Sequence, residues 1–459
     1  MGTAHPRLTR LTGWGRTAPS TARLVTVPSS GVADALADVT ARGALARGLG
    51  RSYGDAAQNG GGLVVRLDAS PRDVVVDRTT HEATVDAGVS IDDLLRVIVP
   101  QGYFVPVTAG TRFVTIGGAI ASDIHGKNHH GDGSFGNHVQ SIRLLLANGS
   151  IVTISPTERP ELFWATIGGM GLTGIVLDAT IRMLPVESSR CVVDTMRVPD
   201  LDTVLGLMEE GDHRYRYAVA WIDLMATGRH LGRSVLSRGD HARVDQLKGG
   251  DREQPLQYEA GIIADVPPVF PVSALNRATI KVFNELWFRK APRHRLGEIQ
   301  TIPQYFHPLD MIGTWNRAYG PHGFVQFQIL VPFGHERALR EVIERLASSG
   351  AASFVTVLKR FGAANPAPLS FPAPGWTLTL DIPAGTKGLS TMLHELDVLV
   401  LDAGGRHYMA KDSHTTPEAI RRGYPRLAEW QAIRDDIDPK RVWQSDLARR
   451  LGLLDSQLD

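Results

Sequence analysis

The sequence contains almost no cysteine: Cys191 is the only one among 459 residues. A single cysteine excludes an internal disulfide and any cysteine-rich zinc or iron–sulfur centre. Net charge is also nearly absent, because 49 Lys and Arg residues oppose 48 Asp and Glu residues. Proteins that bind nucleic acid usually carry a basic excess, so we expect no nucleic-acid partner.

Long apolar runs are missing as well. No stretch approaches the roughly 18 consecutive apolar residues of a membrane-spanning helix. The N-terminal residues contain no apolar core of the kind found in signal peptides. We therefore expect neither a membrane span nor a cleaved leader. The hydrophobic fraction, 43%, is that of a globular chain, and the length predicts two or three domains.

Glycine, by contrast, is abundant, with 47 residues. It is dense in three segments, namely 43–62, 110–136 and 168–174. Short β-branched runs between these segments predict strands. The predicted strands are Leu63–Leu67, Val74–Asp77 and Ala83–Val85. A helix is predicted to open at Ser90, with Asp93 as its capping partner, and a hairpin is predicted around Asn148 and Gly149. These elements indicate an α+β domain.

From Phe324 onward the pattern predicts a β-α-β-β-α-β unit, an antiparallel sheet with helices on one face. Its elements are Phe324–Val331, His335–Ser348, Ser353–Lys359, Trp376–Ile382, Leu389–Leu401 and Arg406–Ala410. The composition of Ser237–Pro271 favours a long mobile loop, and Gln304–His322 is a second candidate lid. The tail from Thr416 onward is predicted to be helical, and we find no internal sequence repeat.

Three motifs have the letters of known sites but different surroundings. Gly169–Gly174 reads G-x-G-x-x-G, yet a helix precedes it and a strand follows it, the reverse of a dinucleotide-binding unit. Gly50–Gly54 reads G-x-S-x-G, but three glycines follow soon after, where a serine hydrolase needs a helix. His125 and His129 have the spacing of a zinc pair, but glycines interrupt the segment. We expect a polar site loop there and no metal.

Two other glycine-rich turns are more informative. Ala46–Asp55 carries two arginines and a serine between glycines, and glycines let backbone N–H groups approach a phosphate closely. Gly110–Ala121 could supply further backbone donors to the same long ligand. Two such turns in one domain, without the context of a Rossmann fold or a P-loop, favour FAD held in another way.

The chain resembles the vanillyl-alcohol-oxidase-type flavoprotein family, whose FAD domain is of the PCMH type. The residues that carry the resemblance are Gly13–Thr17, Arg47–Asp55, Asp123–His130, Gly133–His138, Glu161–Thr166, Trp315–Pro321 and Ala410–Ser413. It extends over nearly the whole chain. It implies an α+β protein with an FAD-binding domain at residues 1–186, an antiparallel-sheet substrate domain at 187–405, and a segment at 406–459 that returns to the FAD domain.

The resemblance also implies site residues. FAD contacts would fall on Arg47, Gly48, Leu49, Gly50, Arg51, Ser52, Tyr53, Gly54, Asp55, Gly110, Thr115, Ile116, Gly117, Gly118, Ser122, Asp123, Ile124, His125, Val176 and Tyr408. Substrate contacts would fall on Lys127, Trp221, Gln326, Gln328, Lys359 and Thr379. Many covalent members of the superfamily have a histidine where Tyr53 stands here, which implies that FAD is bound without a covalent link.

The implied reaction is oxidation of the 2'-hydroxyl of decaprenylphosphoryl-β-D-ribofuranose to the ketone, the first half of an epimerisation that makes the arabinose donor of actinobacterial cell walls. Such a step needs a base within hydrogen-bond reach of the hydroxyl. Lys411 is the first candidate, because the pKa of a lysine falls readily on burial. His125 is the second candidate, and Tyr53 is the third. Lys127 and Lys359 could hold the phosphodiester.

Gln326 and Gln328 share one face of a predicted strand, where unpaired amides would be costly to bury, so we expect them to floor a pocket. The resemblance further implies a separate NADH-dependent keto-reductase. It also implies that the protein is located at the cell envelope, on the periplasmic side. Without a visible export signal the cytoplasmic face stays open, and a peripheral membrane contact is compatible with either. The alternatives are an alditol or sugar-lactone oxidase that uses O2, and a non-catalytic polyprenyl-sugar binding protein.

Two positions depart from the resemblance. Thr379 stands where mycobacterial members have the cysteine that nitroaromatic inhibitors capture, and Phe306 stands where the family has a tyrosine. We predict that such inhibitors form no covalent adduct with this protein, because a threonine hydroxyl is a far weaker nucleophile than a thiolate. Intact-mass spectrometry after turnover with inhibitor measures this directly. Thr379→Cys is the matched control and should gain the adduct, while an adduct at Thr379 itself would contradict the prediction.

Overall fold

The computed structural model describes residues 5–267, 276–349, 353 and 355–455. The strands in these ranges are β1 (Arg7–Leu11), β2 (Ser20–Val27), β3 (Ala44–Ala46), β4 (Leu63–Leu67), β5 (Val74–Asp77), β6 (Glu82–Asp86), β7 (Tyr103–Phe104), β8 (Val139–Leu145), β9 (Ile151–Ile154), β10 (Ile175–Arg182), β11 (Leu184–Pro185), β12 (Arg190–Val198), β13 (Tyr217–Ile222), β14 (Ser234–His241), β15 (Ala264–Asp265), β16 (His294–Thr301), β17 (Ile312–Gly313), β18 (Phe324–Pro332), β19 (Thr356–Phe361), β20 (Gly375–Pro383) and β21 (Arg406–His407).

The helices are α1 (Val32–Ala35), α2 (Ile91–Ile98), α3 (Ile116–Ala121), α4 (His129–Asp132), α5 (Pro160–Thr166), α6 (Leu201–Gly211), α7 (Gly250–Glu253), α8 (Arg277–Lys290), α9 (Ile302–Phe306), α10 (Glu336–Ser349), α11 (Leu389–Asp402), α12 (Pro417–Gly423), α13 (Leu427–Ile437) and α14 (Asp446–Arg450). None of those described is long and apolar enough to cross a bilayer.

The first part of the chain forms two larger sheets and a two-stranded sheet of β7 and β11. One of the larger sheets has the order β1-β2-β4-β3, and the other has the order β5-β6-β10-β8-β9. Val25, Leu63 and Val65 of the first sheet pack against Leu145 and Leu177 of the second in one buried cluster. On the second sheet, the apolar faces of α2 and α3 join a larger core. Burial of these apolar side chains is the main force that holds the two sheets together.

The second part is an eight-stranded sheet with the order β16-β12-β14-β13-β19-β20-β18-β21. Its two halves have the same topology. In one half β12, α6, β13, β14, α8 and β16 follow each other, with α7 and β15 inserted, and in the other half the order is β18, α10, β19, β20, α11 and β21. The halves meet where β13 pairs with β19. The two halves therefore repeat each other in topology, although the sequence shows no repeat.

The two faces of this sheet differ sharply. Apolar side chains of β13, β18, β19 and β20 pack against α6, α10 and α11 in one buried cluster. Because successive side chains of a strand point to opposite faces, the other face receives the intervening residues. Gln326 lies directly across from Asp381, and Gln328 lies across from Thr379. The polar face of the sheet is therefore set by strand register.

Most sequence predictions of local structure are confirmed. The strands Leu63–Leu67 and Val74–Asp77 have the predicted bounds. Ser90 caps α2 by accepting the Asp93 N–H, and β8 and β9 form the predicted hairpin. Gly169–Gly174 links α5 to β10, and the predicted β-α-β-β-α-β unit from Phe324 is present.

Other predictions are wrong. Ser237–Pro271 is not one long loop, because Ser237–His241 continues β14, which pairs on both sides with β12 and β13. Two further elements, α7 and β15, lie in that segment, and its residues 268–271 lie outside the described ranges. The segment Gln304–His322 contains short helices with buried side chains, including Tyr305 and Trp315. Whether it moves stays a prediction.

Smaller differences concern element ends. β19 begins at Thr356, later than predicted, and residue 354 of the predicted strand lies outside the description. β21 stops at His407, and Met409–Lys411 forms a helical turn instead of continuing the strand. His129 and His130 begin the short helix α4, which the glycine-broken pattern did not predict.

The C-terminal segment packs back on the first sheet. Ala44 donates its N–H to the Val442 carbonyl at 2.7 Å and accepts the Gln444 N–H at 3.0 Å. On α14, Arg450 contacts Asp55 at 2.7 Å and Asp412 at 2.9 Å. These contacts support the division into residues 1–186, 187–405 and a returning segment 406–459, which we keep as a proposal.

We predict that Arg450→Met lowers the free energy of unfolding by about 3 kcal/mol, because it leaves two carboxylates without their common partner. Arg426→Met is the matched control. Arg426 pairs with Glu429 on the surface, and such a pair contributes about 1 kcal/mol or less. Urea unfolding followed by fluorescence measures both variants. Equal losses in the two would show that Arg450 is not a structural centre.

Candidate active site

A large cavity of about 1790 Å³ lies between the glycine-rich turns and the polar face of the eight-stranded sheet. Its lining includes Gly48–Tyr53 on one side and Gln326, Gln328 and Lys359 on the other. A pocket for a drug-sized ligand has about 300–1000 Å³. The volume therefore suits a dinucleotide-sized cofactor together with a second molecule.

The first turn presents backbone donors to this cavity. In the described part of the chain, the N–H groups of residues 48–52 have no hydrogen-bond acceptor. Gly50 makes the turn possible, with a φ of 66° that favours glycine. The Arg47 guanidinium donates to the carbonyls of Thr12 and Ala57 at 2.7 and 2.6 Å. Arg47 thus fixes the turn, and the backbone is free to bind an anion.

In the second turn, three of the backbone donors that the sequence suggested are already engaged, and the prediction stays untested for the others. The N–H of Ile116 goes to the Val89 carbonyl, and that of Gly117 goes to the Ala87 carbonyl, both at 2.9 Å. Gly118 donates to the side chain of Thr115 at 3.2 Å. These hydrogen bonds begin α3, and they leave no free donor at these three residues. Here glycine permits close approach instead, since Gly117 and Gly118 line the cavity without side chains.

The structure brings together nearly all residues that the resemblance implied. All of them line the cavity except Gly54, Asp55, Ile116 and Asp123. Ile116 is buried in the core, and Gly54 lies against the Asp412 carbonyl. Asp55 forms an ion pair with Arg450, and its contact with FAD stays a prediction.

Asp123 holds two parts of the chain together behind the cavity wall. Its carboxylate accepts hydrogen bonds from Ser134, Asn365 and Ser370 at 2.8, 2.7 and 2.5 Å. The Gly136 N–H adds a further bond at 2.8 Å. Burial raises the pKa of Asp123 in spite of these donors. The side chain therefore has a structural position and does not face the cofactor space.

His125 is enclosed and neutral. Gln328 Nε2 donates to His125 Nε2 at 2.9 Å, which places the imidazole proton on Nδ1. The rings of Phe361 and Tyr408 lie 4.8 and 5.1 Å away. Burial, reinforced by Lys359, holds the pKa of His125 well below its ordinary value. With its one basic nitrogen already engaged, His125 suits orientation better than proton removal.

Lys411 is the titratable group best placed for acid–base chemistry. Its Nζ lies 3.9 Å from the centre of the Tyr53 ring. Burial lowers the pKa of Lys411 to about 7, although Asp381 opposes this shift. Tyr53 donates its N–H to the Ala410 carbonyl at 3.0 Å, which ties the lysine segment to the first turn. Burial raises the pKa of Tyr53 well above its ordinary value, so its hydroxyl keeps its proton.

Two more lysines lie inside the cavity. Burial lowers the pKa of Lys127 to about 7 and that of Lys359 to about 8. The Lys127 ammonium donates to the Tyr305 carbonyl and lies 4.0 Å from the centre of that ring. Buried cations without a close carboxylate are costly. An anionic group from a bound molecule would therefore be strongly stabilised here.

Asp381 belongs to this site, although the sequence did not reveal it. Gln326 Nε2 donates to its carboxylate at 2.5 Å. Burial raises the pKa of Asp381 to about 7, against the opposing effects of Gln326 and Lys411. The only signal in the sequence was the period-2 alternation of β20, and that could not show that Asp381 pairs with Gln326 across two strands. Trp14, which stacks 3.9 Å from the Arg51 guanidinium, was found only as part of a motif.

Comparison with known families defines the class of protein first. An FAD-binding domain model matches residues 30–155, and a D-arabinono-1,4-lactone oxidase model matches residues 336–451. The first match contains both glycine-rich turns, and the free N–H groups of residues 48–52 fit the diphosphate of FAD. The chain is an FAD-dependent oxidoreductase.

Similar proteins narrow this class. The decaprenylphosphoryl-β-D-ribose oxidase of Mycolicibacterium smegmatis is 46% identical over 451 residues, which cover 97% of this chain and 98% of the relative. An uncharacterized Streptomyces coelicolor protein is 38% identical over 80% of this chain and 100% of its own length. A Streptomyces alditol oxidase is 33% identical over only 39% of this chain and 42% of its own length. The chain belongs to the decaprenylphosphoryl-β-D-ribose oxidase family.

We predict that Gly48→Ala abolishes FAD binding. A Cβ at residue 48 would overlap the Thr115 side chain, which cannot turn away without losing its bond to Gly118. The first turn would have to move away from the cofactor. The flavin absorbance per mole of purified protein is the measurement. Gly131→Ala is the control, because its Cβ would meet nothing within 4 Å. Full flavin content in Gly48→Ala would contradict the assignment of this turn.

Proposed function

We propose that the chain oxidises the 2'-hydroxyl of a polyprenylphosphoryl-β-D-ribofuranose, with decaprenyl as the chain of the natural substrate, to the 2'-ketone. The observation that carries this proposal is the half-buried Lys411 beside Tyr53, in the same cavity as the free N–H groups of the first turn. Its pKa of about 7 matches a group that must gain and lose a proton near neutral pH. The name of the Mycolicibacterium relative supports the choice of substrate.

Oxidation of the sugar hydroxyl to a ketone requires an acceptor for a hydride and an acceptor for a proton. The free N–H groups of residues 48–52 would hold FAD, and the bound cofactor would supply the acceptor for the hydride of C2'. Neutral Lys411 accepts the hydroxyl proton as the C–O bond becomes a carbonyl, and the ammonium that forms faces Asp381. Asp381 carries negative charge above a pH of about 7, so it stabilises that ammonium. Tyr53 and His125 orient the sugar and do not remove the proton.

Lys127 and Lys359 are the proposed phosphodiester site. Both are half-buried in the lining of the cavity, and an arriving phosphate would stabilise the charge that burial disfavours. Gln328 joins the sheet floor to His125, and Thr379 lies beside it on β20. Trp221 completes the cavity lining on β13. These positions supply polar groups for the hydroxyls of the sugar ring.

Lys127 and Lys359 also separate the alternatives. An alditol or sugar-lactone oxidase acts on uncharged molecules, which would offer no anionic partner to these two lysines of the cavity lining. A non-catalytic polyprenyl-sugar binding protein would not need a lysine with a pKa of about 7 beside the first glycine-rich turn. We further propose that a separate NADH-dependent keto-reductase completes the epimerisation at the cell envelope, on the periplasmic side.

We predict that the rate of flavin reduction by farnesylphosphoryl-ribose rises with pH through about 7 and then levels off, because only neutral Lys411 can accept the proton. Lys411→Met should slow this rate by about 10²–10⁴-fold and remove the pH step. Anaerobic stopped-flow absorbance follows the bleaching.

Lys440→Met is the control, because Lys440 is exposed. It should keep both the rate and the pH profile of the wild-type protein. A Lys411→Met variant that bleaches at the wild-type rate would refute the role of this lysine. Reduction by a free polyol, with none by the prenylphosphoryl sugar, would favour the alditol oxidase.

A further inference from the structure

Helix α8 exposes a row of large apolar side chains. Val282 and Leu286 are 59% and 63% exposed, and Trp287 is 46% exposed. The helix is held to the protein along one edge, where Asn284 donates to Asp223 at 2.8 Å and Glu285 pairs with Arg233 at 2.6 Å. An amphipathic helix normally turns its apolar stripe inward, so this row needs another explanation.

Neighbouring segments extend the apolar area. On β16, Leu296 is 62% exposed, and β16 is the edge strand of the eight-stranded sheet. Ile263 is 80% exposed, and its N–H donates to the Met311 carbonyl at 2.8 Å. Ile312 is exposed on β17, which pairs with β15. We name α8, β16, Ile262–Ile263 and Ile312 together the mouth surface.

The mouth surface surrounds an opening of the active-site cavity. Ile280 and Trp287 of α8, Ile299 of β16, and Ile312 all line that cavity. Trp287, Ile299 and Ile312 are also exposed to solvent, so they lie where the cavity meets the outside. A molecule that enters between them passes from an apolar rim to the lysines of the cavity lining.

The charge of this region differs from that of the whole chain. Residues 277–301, which span α8 and β16, contain six basic residues against two acidic ones, Glu285 and Glu298, which pair with Arg289 and Arg295. The other basic residues are Arg277, Lys281, Lys290 and Arg293. The whole chain is nearly balanced, with 49 basic and 48 acidic residues. Basic side chains beside exposed tryptophan and leucine are typical of helices that lie at the surface of an anionic bilayer.

We propose that the mouth surface docks on an anionic bilayer, with Val282, Leu286 and Trp287 at the level of the lipid headgroups. The prenyl chain of a lipid substrate then reaches the cavity without crossing water. Contiguous exposed apolar patches mark interaction sites. The basic residues beside this patch favour an anionic lipid surface as the partner. The statement that a prenyl lipid enters the cavity from the bilayer rests on the proposed function. The docking itself does not, because it depends only on the exposed apolar side chains and the basic residues of α8 and β16.

The test is co-sedimentation of the full-length holoprotein with vesicles of phosphatidylcholine alone or with 30% phosphatidylglycerol, roughly the charge density of an anionic membrane. The wild-type protein should sediment with the anionic vesicles and be released by salt, which screens such contacts. The double variant Val282→Glu/Leu286→Glu should bind at least about tenfold more weakly. The control Val75→Glu/Ile151→Glu changes two equally exposed apolar residues far along the chain and should bind like the wild type.

Flavin reduction by a soluble short-chain farnesylphosphoryl-ribose separates this proposal from the proposed function. Val282 and Leu286 do not line the cavity, so the double variant should bleach normally with that substrate. Loss of bleaching in every protein with vesicle binding intact would reject the proposed function alone. Equal vesicle binding by wild type and double variant, no binding by either, or a dimer that only the double variant loses would overturn the membrane proposal.

Discussion

The site depends on the ion pairs of Arg450. Its guanidinium contacts Asp55, next to the first glycine-rich turn, and Asp412, next to Lys411. It also donates to the Thr415 carbonyl at 2.9 Å. One side chain of the last helix thus fixes the anion-binding turn and the lysine segment relative to each other. Although burial opposes it, the charge of Arg450 holds the pKa of Asp412 well below its ordinary value, so the pair stays ionised.

The second constraint is electrostatic. The chain is nearly neutral overall, yet three half-buried lysines line one cavity, and partial burial lowers the pKa of each toward 7. A buried lysine that can lose its proton costs less than one that must stay charged. The same property lets Lys411 act as a base, while an incoming phosphate can recharge Lys127 and Lys359. The lowered pKa of these lysines therefore has two effects. It reduces the cost of placing them in the cavity without a ligand, and it lets a bound anion stabilise their charged form.

Local structure and the glycine-rich turns were predictable from the sequence, because they depend on neighbours along the chain. The Ser90 cap, the Asn148–Gly149 hairpin and the β-α-β-β-α-β unit are examples. Features that depend on register or on distant partners were not predictable. Asp381 joins the site only through its cross-strand pair with Gln326. The N–H groups of Ile116 and Gly117 donate to the carbonyls of residues 89 and 87. The spacing of residues within the turn does not reveal these acceptors.

The central claim is that hydride leaves C2' of a prenylphosphoryl-ribose in this cavity. The most direct measurement compares anaerobic flavin bleaching by farnesylphosphoryl-ribose with deuterium at C2' and by the same molecule with deuterium at C3'. Our account predicts a several-fold slower reduction for the C2' label and no change for the C3' label, since only the C2'–H bond breaks. An isotope effect at C3' alone, or bleaching that neither label slows, would contradict it.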